Sequence, residues 1–323
     1  MGAVAPTDGA AALASLRTLG ERGFISRIVP LLPRRPDVAV GAGDDCAVVS
    51  PPAPGEELVL KSDPVEEGRH FLHGDDPALV GRKAIARVFS DFAAMGATPK
   101  WALVDFSAPP DTPVFFAERI LGGMADLARR HGVAVVGGDT SRGDRIALHV
   151  FCAGSVPKGR AMLRSEARPG DLLFVTGTLG GSFRSGRHLS FEPRLAEGEW
   201  LRRRAVRCAI DVSDGLSCEA WHLAKASGVS MTLDASSIPV SPAAAECADP
   251  LAAALGDGED FELLFFASPA DTSLQADFAA AFPDTPLSLI GRAEERSDAP
   301  VLRIARTGEP PQELAETGFD HFG

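Results

Sequence analysis

The spacing of apolar residues changes period several times along this chain, and each change predicts an element. Over residues 16–32, Leu16, Leu19, Phe24, Ile25, Ile28 and Leu32 follow helical spacing until Pro30 and Pro33 break it. Residues 76–95 predict a second helix. Asp76 stands as its cap and Pro77 at its first position, with Ile85, Val88, Phe89 and Phe92 on one face. Residues 114–131 predict a third. Between them, short apolar runs bounded by turn residues predict strands over 38–40, 46–49, 58–60, 101–106, 133–136 and 146–151.

Near Pro157 the texture changes. Residues 158–168 are basic, and the glycine-rich stretch 177–181 follows a strand predicted at 172–176. Further strands are expected at 209–210, 229–233, 261–266 and 287–290, with a helix over 216–226 ended by Gly228. Residues 261–266 are apolar on both faces, which predicts a buried strand. Helices and strands mixed in this way predict an α/β chain of the α+β type, with helices on a largely mixed sheet. At 323 residues the chain exceeds one ordinary core, so two domains are expected, 1–156 and 157–323.

Charge narrows the possible functions. The net charge of −12 argues against nonspecific nucleic-acid binding, which needs a basic footprint. It leaves room for a small anionic ligand, because bound metals reverse the local sign. No apolar run reaches the roughly 18 residues of a membrane helix. The first residues carry Asp8 and no basic n-region, unlike a secretory signal. Five cysteines without a C-x-x-C pair suit reduced thiols, so a cytoplasmic protein is expected.

The candidate chemistry lies where apolar runs meet aspartates. Gly137, Gly138, Asp139, Thr140, Ser141, Arg142 and Gly143 follow the 133–136 run, and the two glycines suggest a tight turn that approaches a ligand. Similar junctions are Gly41-Ala42-Gly43-Asp44-Asp45, Lys61-Ser62-Asp63, Ser90-Asp91, Asp211-Val212-Ser213-Asp214-Gly215 and Gly256-Asp257-Gly258-Glu259-Asp260. Singly, each has a plain reading. Asp214 suits a helix cap, Asp91 a solvated flank, Asp257-Gly258 an ordinary turn, Arg164 a surface charge and His70 a structural histidine. Together, Asp45, Asp63, Asp91, Asp139, Asp211 and Asp214 all flank apolar elements and can face one end of a sheet. Crowded carboxylates repel unless cations sit between them. Magnesium favours such hard oxygens, Ser62 among them, and shares its remaining positions with phosphates. No G-x-x-x-x-G-K-[ST] loop or protein-kinase signature is present, so ATP would be held through metal.

These motifs, in this order, together with Glu67-Gly68-Arg69-His70-Phe71 and Gly318-Phe319-Asp320-His321-Phe322, resemble the thiamine-monophosphate kinases of the aminoimidazole ribonucleotide synthetase superfamily. The resemblance runs from about Gly23 to the C-terminus. It implies magnesium-dependent transfer of the ATP γ-phosphate to thiamine monophosphate, by a metal-assisted route with no single base assigned. It implies metal ligation by Asp45, Ser62, Asp63, Asp91, Asp139, Asp211 and Asp214. ATP contacts would come from Gly138, Asp139, Arg164 and Ser213, and substrate contacts from His70, Glu259 and Phe319. It further implies a synthetase-like fold in which the N-terminal domain binds metal and ATP and forms a homodimer. The C-terminal domain would close over nucleotide and substrate. Lys61 stands where the family often has serine or threonine. Two other readings stay open at this level: another ATP-using synthetase of the superfamily, or a non-catalytic nucleotide or metal sensor.

Overall fold

The computed structural model describes residues 15–19, 21–40, 48–49, 51–296 and 298–316. Asp45 and Phe319 lie outside these residues. The chain divides into two compact units, Met1–Val88 with Pro99–Ser155 and Phe89–Thr98 with Val156–Gly323.

The first unit carries α1 (Leu16–Leu19), α2 (Glu21–Ile28), β1 (Val38–Val40), β2 (Val48–Val49) and β3 (Glu56–Glu66). Then come α3 (Pro77–Ala94), β4 (Thr98–Ala108), α4 (Val114–Arg130), β5 (Ala134–Arg142) and β6 (Ala147–Pro157), with α3, β4 and β6 each contributing residues to both units. At the start of α3 the Ala78 amide donates to Asp76 Oδ1 at 2.9 Å, so Asp76 serves the helix start. α4 buries the stripe Val114, Ala117, Ile120, Leu121, Met124 and Leu127, which is the spacing of one helix face. Four strands form a mixed sheet in the order β3-β6-β4-β5, with β4 and β5 parallel.

Of the strands that carry candidate site residues, β3 and β5 depart most from expectation. β3 is 11 residues long, so Ser62 and Asp63 sit inside it and not at its end. It is an edge strand with mostly polar or exposed positions. Pairing with β6, and not an apolar run, sets its length. β5 continues through Gly137, Gly138 and Asp139 to Arg142 instead of turning there. Burial stops at Val136, but backbone pairing with β4 persists from Leu103↔Gly137 to Ala108↔Arg142. The apolar code thus ends six residues before the hydrogen-bond ladder does.

The second unit is built on a seven-stranded mixed sheet. Its elements are β7 (Leu172–Thr176), α5 (Ser182–Ser185), α6 (Arg187–Ser190), α7 (Leu195–Arg203), β8 (Cys208–Asp211), α8 (Leu216–Ser227) and β9 (Ser230–Asp234). They continue with α9 (Pro242–Ala245), α10 (Pro250–Gly256), β10 (Leu263–Ala267), α11 (Leu274–Ala281), β11 (Leu287–Glu294), β12 (Leu302–Ala305) and β13 (Gln312–Glu313). The strand order is β13-β12-β9-β11-β7-β10-β8. β10 is buried on both faces, as its sequence predicts. Leu264 and Phe266 join the core that includes Leu216, Ala220 and Leu223 of α8. Leu263 and Phe265 join the opposite core, with Leu201, Phe278, Ala93 and Ala94. The end of α3 therefore packs as part of this unit, which brings Ser90 and Asp91 with it.

Candidate active site

In the first unit the predicted acids occupy two edge strands. Asp63 lies on β3 and Asp139 on β5, the opposite edge strands of the sheet, which run about 14 Å apart at the usual strand spacing. Lys61 Nζ stands 3.2 Å from Asp63 Oδ1, two residues away on the same strand face. Asp139 is exposed, and its Oδ1 accepts from the Thr140 amide at 2.8 Å. Asp105 on β4 is paired in register with Asp139, which places a second exposed carboxylate beside it. Gly138 supplies closeness and not a turn. Its φ is 149°, and a Cβ there would lie 1.9 Å from the Val104 carbonyl oxygen. Beyond Asp139, the residues Thr140, Ser141 and Arg142 line a cavity of about 250 Å³ together with Arg17 and Phe24.

His70 is buried in the same unit. The Glu66 amide donates to its Nδ1 at 3.0 Å, which fixes the proton on the other ring nitrogen, and Lys83 Nζ donates to its main-chain oxygen at 2.6 Å. These bonds close the turn between β3 and α3.

In the second unit three segments interlock. Asp211 ends β8 and is buried, with Ser90 Oγ donating to its Oδ2 at 2.7 Å. The Glu259 amide donates to the Ser213 carbonyl at 2.6 Å, and the Phe261 amide to that of Val212 at 2.8 Å. Gly258, at φ 71°, leaves no room for a side chain, because a Cβ would stand 2.7 Å from the Ser213 oxygen. Glu259 and Phe261 themselves hold positive φ, at 53° and 52°. Such conformations cost on the order of 1–3 kcal/mol each and persist where surrounding bonds over-determine them. The structure thus brings Asp91, Asp211, Ser213, Asp214 and Glu259 into one neighbourhood. Asp214 does not cap α8. Gly215 occupies the cap, and Glu219 reaches back to Ser213 Oγ at 3.2 Å and the Asp214 amide at 3.1 Å. Arg164 is exposed in this unit, and its main-chain oxygen accepts from Ser227 Oγ at 2.8 Å.

Behind this neighbourhood lies a buried ionic network. Asp260 accepts from the Gly180 amide at 2.9 Å, from Ser182 Oγ at 2.7 Å and from Arg187 Nη2. Burial pushes its carboxyl up to about 6. Glu262 takes a two-pronged contact from Arg194, at 2.8 Å to each oxygen, and a bond from Thr176 Oγ1 at 2.7 Å. Two arginines of the segment after Gly181, Arg187 and Arg194, therefore anchor it to alternate residues of a single stretch, Asp260 and Glu262.

Residues 43–156 match the family model described as AIR synthase related protein, N-terminal domain. The thiamine-monophosphate kinase of Escherichia coli K12 is 35% identical over 311 residues, covering 89% of this chain and 93% of that protein. The chain belongs to the thiamine-monophosphate kinase family. The crystal structure of the Stenotrophomonas maltophilia thiamine-monophosphate kinase is 33% identical with a TM-score of 0.77, over 86% of this chain and 95% of that one. A structure of AaThiL complexed with AMPPCP and TMP is 30% identical with a TM-score of 0.73, over 96% and 99% of the two chains.

Several residues of this kinase-family chain escape a sequence reading. Ser90 orients Asp211, and Glu219 ties Ser213 to α8. Asp260 and Glu262 hold Arg187 and Arg194. The signal for the last two was present as the acids that flank Phe261 and the arginines Arg187 and Arg194. Only proximity in the fold identifies the partners.

Proposed function

We propose that this chain transfers the γ-phosphate of ATP to the phosphate of thiamine monophosphate, giving thiamine diphosphate and ADP. The observation that carries the reading is the likeness, over nearly the whole chain, to a protein bound to AMPPCP, an ATP analogue, and TMP. The motif segments of the second unit add to it. They form one cross-bonded loop pair, the arrangement that holds oxygen donors still for a phosphoryl group.

The donor set fits magnesium: it is all hard oxygen, and Asp211 is already oriented by Ser90. Within the first unit Ser62, Asp63 and Asp139 would serve, with Asp45 from outside the described residues. Within the second, Asp91, Asp211 and Asp214 would do so. When bound, magnesium offsets charge on the β- and γ-oxygens of ATP. The chain itself contributes orientation. Gly138, Asp139 and Ser213 would serve ATP, and Arg164 would clamp a phosphate through its planar fork. His70 and Glu259, with Phe319 from outside the described residues, would serve the thiamine moiety. His70 is buried, so its part would be to hold the exposed Gly68 and Arg69 of its turn toward the substrate.

A homodimer formed through the first unit's sheet is part of this reading. Leu58 and Leu60 on β3, Leu103 on β4 and Phe151 on β6 stand exposed, at 52%, 55%, 38% and 38%, the type of apolar surface that marks a partner. Replacing Leu58 and Leu60 with glutamate should give a monomer by light scattering; a persistent dimer would reject the sheet as the interface. A cytoplasmic location fits the four free thiols among the described residues. The activity test is direct: incubate the protein with ATP, Mg²⁺ and thiamine monophosphate, and follow thiamine diphosphate and ADP. Absence of both products from folded protein would overturn the assignment.

A further inference from the structure

Beside the 211–215 motif, α8 and the residues after β13 bring together three groups of a different chemical kind. Cys218 and His222 stand one turn apart on α8. Glu316 comes to them because residues after β12 fold back over that helix. The Leu314 amide donates to the Leu302 carbonyl at 2.9 Å, Trp221 Nε1 to the Leu314 carbonyl at 2.9 Å, and Ser217 Oγ to the Ala315 carbonyl at 2.8 Å. One potential ligand atom from each of Cys218, His222 and Glu316 lies within 4.8 Å of the other two.

We propose that Cys218, His222 and Glu316 form a thiolate-containing site for a Zn²⁺-class ion that pins residues 312–316 to α8.

The donor geometry supports this. Cys218 Sγ and His222 Nε2 are 3.9 Å apart. Tetrahedral zinc, with its usual bond lengths to sulfur and nitrogen, sets that separation at about 3.6 Å. His222 Nδ1 is bonded to Glu219 Oε2 at 2.9 Å, which turns the Nε2 lone pair toward Cys218. A carboxylate behind the ring is the usual support of a metal-binding histidine. Sulfur and imidazole donors select zinc-like ions over magnesium, so this site is chemically distinct from the all-oxygen motifs. Three protein ligands leave the fourth position to water. Burial, with Glu219, Asp214 and Glu316 nearby, pushes the Cys218 thiol up to about 11; a dication among these groups would relieve that and release the thiol proton to solvent. The ordinary alternative is a helix-surface triad held only by local bonds, including Lys225 Nζ to Glu316 Oε2 at 2.5 Å.

Glu219 gives the site a reach beyond the tail, because its other oxygen holds Ser213 and the Asp214 amide. The metal-binding proposal itself does not depend on the kinase assignment.

The test is a Co²⁺ titration of the full chain with Mg²⁺ in large excess. Wild type should bind one equivalent with a thiolate-to-cobalt charge-transfer band, and Zn²⁺ should displace it. Cys218→Ser should abolish the band, whereas Cys46→Ser and Cys247→Ser should keep it. Glu219→Gln should keep the band but weaken cobalt binding by about 10–100-fold, the usual loss when a ligand's support is removed. Should Cys218→Ser fail to fold, hydrogen exchange on wild type decides: zinc should slow the amides of residues 312–316. No band in wild type, a band that survives Cys218→Ser, or unchanged exchange would overturn the site.

Discussion

At the scale of single residues, two acids with opposite duties sit in kindred motifs. Asp139 is exposed and bonded only locally, so its carboxylate is available to a metal–phosphate group. Asp139→Asn should leave the fold intact and lower turnover by on the order of 10²–10³, the usual loss when a transition-state charge is left unsupported. Near-normal steady-state kinetics in a folded Asp139→Asn protein would sink its assignment as a ligand. Asp260 is buried and held by Arg187. Its folded value of about 6 lies above the roughly 3.9 of an unfolded aspartate. The folded state therefore binds that proton more tightly. Its contribution to stability is fully present below about pH 4 and is lost as pH rises through about 6. Arg187→Met removes the compensating cation and should cost about 3–5 kcal/mol at pH 8. Protonation relieves part of the loss, so the cost should be smaller at pH 5. Urea melts at both pH values check this; an equal loss at each would reject Asp260 as the responsible group.

At the scale of elements, the 256–262 loop and the 211–215 turn act as one piece. Their main chains bond at Ser213 and Val212, and Gly258 permits the approach. Gly258→Ala puts a methyl group 2.7 Å from the Ser213 oxygen and forces an L residue into positive φ. It should destabilise the protein by at least about 1 kcal/mol and raise the apparent KM for ATP through displaced Ser213 and Asp214. Thermal melting beside ATP kinetics tests it; a lower Tm with an unchanged KM would separate the loop from the nucleotide. β5 teaches a related lesson. Its glycines predict a turn when only the apolar run is followed, yet pairing with β4 carries the strand through them and sets Asp139 beside Asp105. In the second unit, β8 similarly delivers Asp211 to the sheet edge, where only the end of α3 supplies the serine that holds it.

For the whole molecule, the many acids and the net charge of −12 make anion binding depend on cations. ATP should bind weakly when chelator removes Mg²⁺ and tightly when it is restored. Equal affinities by calorimetry in the two conditions would exclude metal-mediated ATP binding. The sequence by itself determined the family, the mixed α/β class, the buried β10 and the order of the aspartate motifs. These are written in local periodicity and in residue types at fixed spacing. It also held the helix start at Asp76, because a cap bonds within its own first turn. What only the tertiary structure decided is which groups face one another. Examples are Ser90 with Asp211, Arg187 with Asp260, Arg194 with Glu262, and Glu316 with Cys218 and His222. The members of each pairing lie dozens of residues or more than a hundred apart, on elements whose meeting depends on strand order and helix packing. A one-dimensional pattern records what a residue can offer, and the fold fixes its partner, because hydrogen bonds and ion pairs act over a few ångströms of space.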